Sequence, residues 1–251
     1  ELVDEYSYLT KLGFDANGIQ QFGGITMYNM KRVHIHDTRF YDSTSRPTIT
    51  NDRYAYVFGT GGTPSEDITI ENNLFQDIEL EVDHSRRVKV VNNRFERGIW
   101  LAFNWSTRSI GDVGEDFDIS DNEFFDPYGY AITMHSEADD ESPGGTKGGH
   151  LLNRVRIVNN KIYMNFNKKF GINFGNTQNV KDKNSTWQNI LIENNRIEYA
   201  PGSSVGDPFR PINMYRHPGD GQFNNVFIRN NTVIGNGVLN TWAFTLHNLR
   251  N

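Results

Sequence analysis

ITIENNLF, residues 68–75, returns five times along this chain, as VKVVNNRF (88–95), FDISDNEF (117–124), VRIVNNKI (155–162), ILIENNRI (190–197) and VFIRNNTV (226–233). Each copy alternates apolar and polar residues over four positions, turns on an Asn or Asp followed by Asn, and resumes on a large apolar residue. A period of two is the mark of a half-buried strand. Taking the second turn residue as a marker gives Asn73, Asn93, Asn122, Asn160, Asn195 and Asn231, with a weaker earlier copy, VHIHDTRF (33–40), placing Thr38 in the same slot. The markers follow one another at 35, 20, 29, 38, 35 and 36 residues. A constant turn with an elastic remainder predicts a coil whose strands are fixed and whose loops vary.

Only three or four residues follow each turn, too few for a hairpin partner, so each strand must pair with its equivalents one coil above and below. Parallel stacking at about 4.8 Å would superpose the asparagines and let their amides bond in a ladder. Asparagine also tolerates the left-handed backbone of a sharp bend. The NN pairs are therefore expected to be scaffold, not catalyst. Later in each coil a second strand follows: GITMY, AYVFG, IELEV, GIWLAF, AITMH, GINFG, PINMY and AFTLH. Its first and third apolar residues should point inward: Ile25 and Met27, Ile99 and Leu101, Ile132 and Met134, Ile172 and Phe174, Ile212 and Met214, Phe244 and Leu246. IELEV is ambiguous, because Ile78, Leu80 and Val82 are all apolar.

These repeats resemble those of right-handed parallel β-helix proteins of the pectate-lyase-like superfamily, from about residue 24 onward. The implied fold is all-β, a single-domain solenoid over 1–251 of about seven to eight coils with an Asn ladder at one turn. LGFDANGI (12–19) is similar to a coil that often precedes such repeats, and the family's capping helix is missing. Because solenoids need capped ends, the chain is expected to be an excerpt of a longer β-helix, or to be covered by a capping domain or a second copy in a homo-oligomer.

Composition narrows the partners. With 251 residues, no Cys and 13% aromatics, the chain suits one large core and neither a disulfide scaffold nor a disordered segment. A net charge of -6, from 25 Lys and Arg against 31 Asp and Glu, argues against nucleic acid. No apolar run approaches the length of a membrane span. A polysaccharide or oligosaccharide partner fits, and the resemblance implies an extracellular or cell-surface location.

Chemistry is expected on the outward residues of the second strand and the long loops beside it. The outward columns read Thr26, Val57, Glu79, Trp100, Thr133, Asn173, Asn213, Thr245, and Tyr28, Gly59, Glu81, Ala102, His135, Gly175, Tyr215, His247. Aromatic faces stack on sugar rings while amides and carboxylates bond the hydroxyls, so Trp100, Asn104, Trp105, Asn173, Asn213, Arg216 and His217 are candidate substrate contacts. Glu79, Glu81 and Asp83 alternate along one strand. Three readings stay open for them: a calcium site, the cofactor that β-helix lyases use to hold a uronate, ion pairing with Arg86 and Arg87, or a plain exposed face. VDHS (82–85) is similar to a pectate lyase motif, and GYAITMH (129–135) is similar to GYGFDPH of mannuronan C5-epimerases. The second resemblance implies catalytic roles for Tyr130 and His135, with Thr133 where that family has an Asp. Arg210, Tyr215, Arg216 and His217 form a candidate anionic subsite.

The leading expectation is an enzyme that cleaves an acidic polysaccharide by β-elimination, with Arg210 or Arg216 stabilising developing charge and His135 or Tyr215 moving the proton. Glycoside hydrolysis, which would engage Glu81, and C5-epimerisation are the enzymatic alternatives. A non-catalytic glycan-binding adhesin or tailspike-like shaft is the third.

Overall fold

The computed structural model describes residues 13–14, 20–21, 25–41, 54–58, 63–97, 101–105, 113–127, 129–134, 150–164, 170–175, 185–201, 210–214, 222–236 and 244–246, and the structural statements below concern these. All regular structure among them is β. A short antiparallel pair, Gly13–Phe14 with Gln20–Gln21, precedes three sheets of parallel strands.

Sheet I contains Ile25–Tyr28, Tyr54–Phe58, Glu79–Asp83, Leu101–Trp105, Tyr130–Met134, Phe170–Phe174, Arg210–Met214 and Phe244–Leu246. Sheet II contains Lys31–His36, Ser65–Glu71, Ser85–Val91, Val113–Ser120, Leu151–Val158, Thr186–Glu193 and Gln222–Arg229. Sheet III contains the short strands Arg39–Tyr41, Leu74–Gln76, Arg94–Glu96, Glu123–Phe125, Lys161–Met164, Arg196–Tyr199 and Thr232–Ile234. Successive strands go to different sheets, and strands one repeat apart pair in parallel. The arrangement is compatible with a parallel β-helix. No helix among the described residues is long and apolar enough to cross a membrane.

The two turn residues of each phrase divide the labour. The first, Asp37, Asn72, Asn92, Asp121, Asn159, Asn194 or Asn230, takes the left-handed backbone, with φ between 51° and 59°. The second turns inward. Asn93 donates from its backbone N and from Nδ2 to Asn122 Oδ1 at 2.9 and 3.1 Å, and Asn122 does the same to Asn160 Oδ1 at 3.0 and 3.0 Å. The pattern continues to Asn195 and Asn231 and begins where Thr38 N donates to Asn73 Oδ1 at 3.0 Å. Each Nδ2 spends its other hydrogen on a main-chain carbonyl: that of Ile70 for Asn93, Val90 for Asn122 and Ile119 for Asn160. This satisfies backbone groups that the bend removes from the sheet ladder.

The large apolar residue closing each phrase fills the core. Phe40, Phe75, Phe95 and Phe124 stack at centroid distances of 5.0, 4.9 and 4.7 Å with their planes within 9° of parallel. Offset aromatic pairs at this spacing add to simple burial. Inside sheet I, Leu80 and Val82, Phe103 and Trp105, Ile132 and Met134, Ile172 and Phe174, and Ile212 and Met214 are buried in the same core.

A second left-handed column crosses sheet II six residues before each ladder position: Arg32, Asp67, Arg87, Asp116, Arg154, Asn189 and Asn225. At this residue each strand skips a pairing, as where Arg86 registers with Glu115 and Val88 with Phe117. The side chains are then stacked by coil. Arg87 Nε donates to Asp67 Oδ1 at 2.5 Å, Arg154 pairs with Asp116, and Asn225 Nδ2 donates to Asn189 Oδ1 at 3.0 Å. The Arg87 and Arg154 hydrogen bonds hold the Asp67 and Asp116 carboxyls below their ordinary values. Folded-state pKa values lowered in this way contribute stability that is complete above the unfolded value near 3.8 and is lost as pH falls through the folded one. The thermal midpoint should therefore be flat from pH 7 to about 5 and fall below about 4, and Arg87→Ala with Arg154→Ala should lessen that slope. The change is small, since both pairs are half exposed and screened by solvent.

Candidate functional site

Register in sheet I decides which residues share its outer face. Glu81 pairs with Asn104, Asn104 with Thr133, Thr133 with Asn173, Asn173 with Asn213 and Asn213 with Thr245. On the other side Glu81 pairs with Tyr56, and Tyr56 with Thr26. One row of polar residues therefore runs across the strands. Because Phe103, Ile132, Ile172 and Ile212 occupy the core alternation, this row lies on the opposite face.

Three expectations for this face are corrected. The place given to Trp100 belongs to Asn104, and the pair in register with Ile132 and Met134 is Phe103 and Trp105, where the sequence reading had Ile99 and Leu101. In GIWLAFNW nearly every residue is apolar, so alternation gives the correct face but leaves the register free to slide by four. Trp105 is no substrate contact: it is fully buried in the core, and a Cβ on Gly114 would meet its Nε1 at 2.6 Å. Val57 registers with buried Val82, which puts Tyr56 opposite Glu81 and Val57 on the core alternation. In the ambiguous IELEV coil, Leu80 and Val82 face the core, and Glu79, Glu81 and Asp83 share the outer face.

Side chains of the row are buried. Relative exposures are 3% for Glu81, 2% for Asn104, 2% for Thr133, 4% for Asn173 and 0% for Asn213. Asn213 Nδ2 donates to Asn173 Oδ1 at 2.6 Å, and Asn173 Nδ2 donates to the Gly175 carbonyl at 3.2 Å. Asn104 Oδ1, Thr133 Oγ1 and Asn213 Oδ1 have no hydrogen-bond partner among the described residues. Buried polar atoms are almost always paired, so three orphans in one register row point to water or ligand atoms as their partners.

Glu79 and Asp83, at 2% and 0% exposure, flank Glu81 on the same strand and face. Arg86 and Arg87 do not neutralise them. Both lie on sheet II, where Arg86 faces Glu115 at 3.4 Å and Arg87 bonds Asp67 and Glu66. Among the described residues no group of three or more His, Cys, Asp or Glu side chains is gathered as a metal site.

Tyr130 and Arg210 flank Phe170 in a different row. Tyr130 registers with Phe170 and Phe170 with Arg210; the Tyr130 and Phe170 rings stack at 4.9 Å, and the Arg210 guanidinium sits 5.4 Å from the Phe170 centroid. Standing an odd number of residues before Thr133 and Asn213, they take the alternation of Ile132 and Ile212 at the strands' entry, not that of the polar row. Burial pushes the Tyr130 hydroxyl above its ordinary value, with Arg210 opposing in part. At neutral pH it is a phenol that can donate a proton. Trp100, His135, Tyr215, Arg216 and His217 lie outside the described residues.

The sequence reading missed Tyr56 as the neighbour of Glu81. Its signal was the phase of AYVFG against GITMY, in which Ala55 and Val57 match Ile25 and Met27. No family model, curated protein or solved structure was found to match the chain.

Proposed function

We propose that the three-sheet stack is a right-handed parallel β-helix of the pectate-lyase-like kind, acting on a polysaccharide that lies across the strands of sheet I, outside the cell or at its surface. The single observation carrying this reading is the buried row Glu81–Asn104–Thr133–Asn173–Asn213, whose unsatisfied amide and hydroxyl atoms lead into a strand bearing three carboxylates on the same face. Sugars present hydroxyls at regular intervals along a chain, and a row of polar atoms repeating at the strand spacing of about 4.8 Å is matched to such a ligand.

Hydrolysis is the chemistry this face supports best. An inverting glycosidase needs two carboxyl groups about 6.5 to 9.5 Å apart, one protonating the leaving oxygen and one activating water. Glu81 with Glu79 or Asp83 supplies two carboxyl groups on one face of one strand, as such a pair requires. β-Elimination on an acidic glycan is the second reading, favoured by the Arg210 cation and a protonated Tyr130 on either side of Phe170. No step is assigned to calcium.

The test is incubation with a panel of neutral and acidic polysaccharides, following reducing ends and the absorbance of unsaturated uronates together. Reducing ends without that absorbance support hydrolysis, and both signals together support elimination. Saturable binding with no product would reduce the reading to a glycan-holding shaft. Absence of binding to every glycan would sink it.

A further inference from the structure

The weakest copy of the repeated phrase, VHIHDTRF, carries His34 and His36 on Lys31–His36, the last strand of sheet II among the described residues. Val33 is buried and Ile35 packs against the core, so the two histidines share the outer face of that sheet. Both side chains are nearly half exposed. Their ring centroids are 4.4 Å apart, with planes inclined by 36°. Each ring is held by a carboxylate through one nitrogen. Glu71, which registers with His36 on the neighbouring strand, places Oε1 at 2.7 Å from His34 Nε2, and Asp37 Oδ2 lies 2.9 Å from His36 Nδ1. An ionised carboxylate only accepts, so in a neutral imidazole the bonded nitrogen carries the hydrogen and the lone pair falls on the other one. Those lone pairs belong to His34 Nδ1 and His36 Nε2, which have no partner among the described residues.

From this we infer that His34 and His36 form a chelating pair for a divalent transition-metal ion, bound through His34 Nδ1 and His36 Nε2 on the outer face of sheet II. Two imidazole nitrogens bound to one ion at about 2.0 to 2.1 Å stand at most about 4.2 Å from each other. Rings already 4.4 Å apart reach that span by small side-chain rotations, without backbone movement. Glu71 and Asp37 stand to the imidazoles as carboxylates stand behind metal-bound histidines: they fix the tautomer, orient the ring and raise the basicity of the nitrogen that binds. Their two negative charges also offset the charge of the ion. Imidazole favours copper, nickel and zinc, whereas calcium and magnesium prefer oxygen, and within the first group affinity peaks at Cu²⁺. The pair supplies two ligands, short of a closed cage, so water completes the coordination and the ion stays exchangeable. The site is on a different sheet from the glycan row and stands independently of the glycan-binding reading.

The experiment is calorimetric titration of the full chain, free of any affinity tag, with Cu²⁺, Ni²⁺, Zn²⁺ and Ca²⁺ in a non-coordinating buffer at neutral pH. Electron paramagnetic resonance of the copper complex counts the nitrogens bound to the metal. Wild type is compared with His34→Asn, His36→Asn and the double variant, and metal-free thermal midpoints establish that each is folded. Both positions are exposed, so folding should be retained. The expected result is a Cu²⁺ site whose spectrum shows two equivalent imidazole nitrogens, weaker binding of Ni²⁺ and Zn²⁺, and no competition from Ca²⁺. Each single substitution should weaken the site at least tenfold and leave one of those two nitrogens, and the double variant should lose it. Because the chain has seven histidines, copper bound elsewhere would persist in the double variant. Copper binding that is unchanged in the double variant would overturn the inference. A wild-type spectrum with a single nitrogen, or no copper binding at all, would overturn it equally, leaving His34 and His36 as a surface pair held by their carboxylates alone.

Discussion

Asn122→Ala is expected to destabilise the protein by about 3 to 5 kcal/mol, seen as a lowered denaturant midpoint in urea at neutral pH with an unchanged slope. Asn122 is fully buried and stands mid-ladder. Its Oδ1 accepts from both the backbone N and the Nδ2 of Asn93, and its Nδ2 donates to the Val90 carbonyl and to Asn160 Oδ1. Alanine leaves the Asn93 N–H and the Val90 C=O buried without partners, each worth about 1 to 3 kcal/mol, and opens a small void. Asn122→Asp should be comparably harmful, since an oxygen would then face two acceptors. Two controls locate the effect. Asn231→Ala, at the partly exposed end of the ladder, should cost distinctly less. Asp121→Gly, at the left-handed position beside Asn122, should be close to neutral, because glycine adopts that backbone without strain.

That contrast shows why so much of the architecture was legible in the sequence. A stacked coil repeats one local solution, so the bend must carry the same two residue types each time, one able to take positive φ and one able to bridge coils by its amide. The repetition of NN exposes both. The second left-handed column in sheet II escaped notice although its offset is constant. Its occupants alternate between Arg, Asp and Asn, residue types that also decorate any exposed strand, and only the backbone reveals that they stack.

Sheet I was harder to phase for a reason of packing. Its strands have apolar residues on both alternations, as in GIWLAFNW and AYVFG, and the choice between registers is made by core volume: Phe103 and Trp105 fill the layer beside Ile132 and Met134. Trp105 was read as a sugar platform on its chemistry alone, and that same apolar bulk places it in the core. Asn173 and Asn213 stand in one outward column as their spacing implied, whereas Asn104, assigned by the sequence to the loop that follows, joins them in register through Thr133. Their burial on the outer face was invisible in the sequence.

Glu81→Gln is expected to reduce glycan cleavage by at least a hundredfold while leaving the affinity for a neutral glycan within about threefold, measured as kcat from reducing-end release and Kd from calorimetry. A general acid or base contributes about 10² to 10⁴ to the rate, and Gln keeps the size and much of the hydrogen bonding while losing the transferable proton. Glu81 is the central carboxylate of the three, the one in register with Asn104, so it is the member that a sugar bonded to the row must approach. Its partner is then identified by rescue. If Glu79 or Asp83 is the base that activates water, replacing it by Gly and supplying azide should restore turnover in that variant only, with a glycosyl azide of inverted configuration as product. The anomer released by wild type gives a second check, since inversion accompanies two carboxyl groups about 6.5 to 9.5 Å apart. A retained anomer would place the catalytic pair about 5 Å apart and so require a carboxylate from another coil. Full activity in Glu81→Gln, with Tyr130→Phe inactive, would move the chemistry to the Tyr130–Phe170–Arg210 row and to β-elimination.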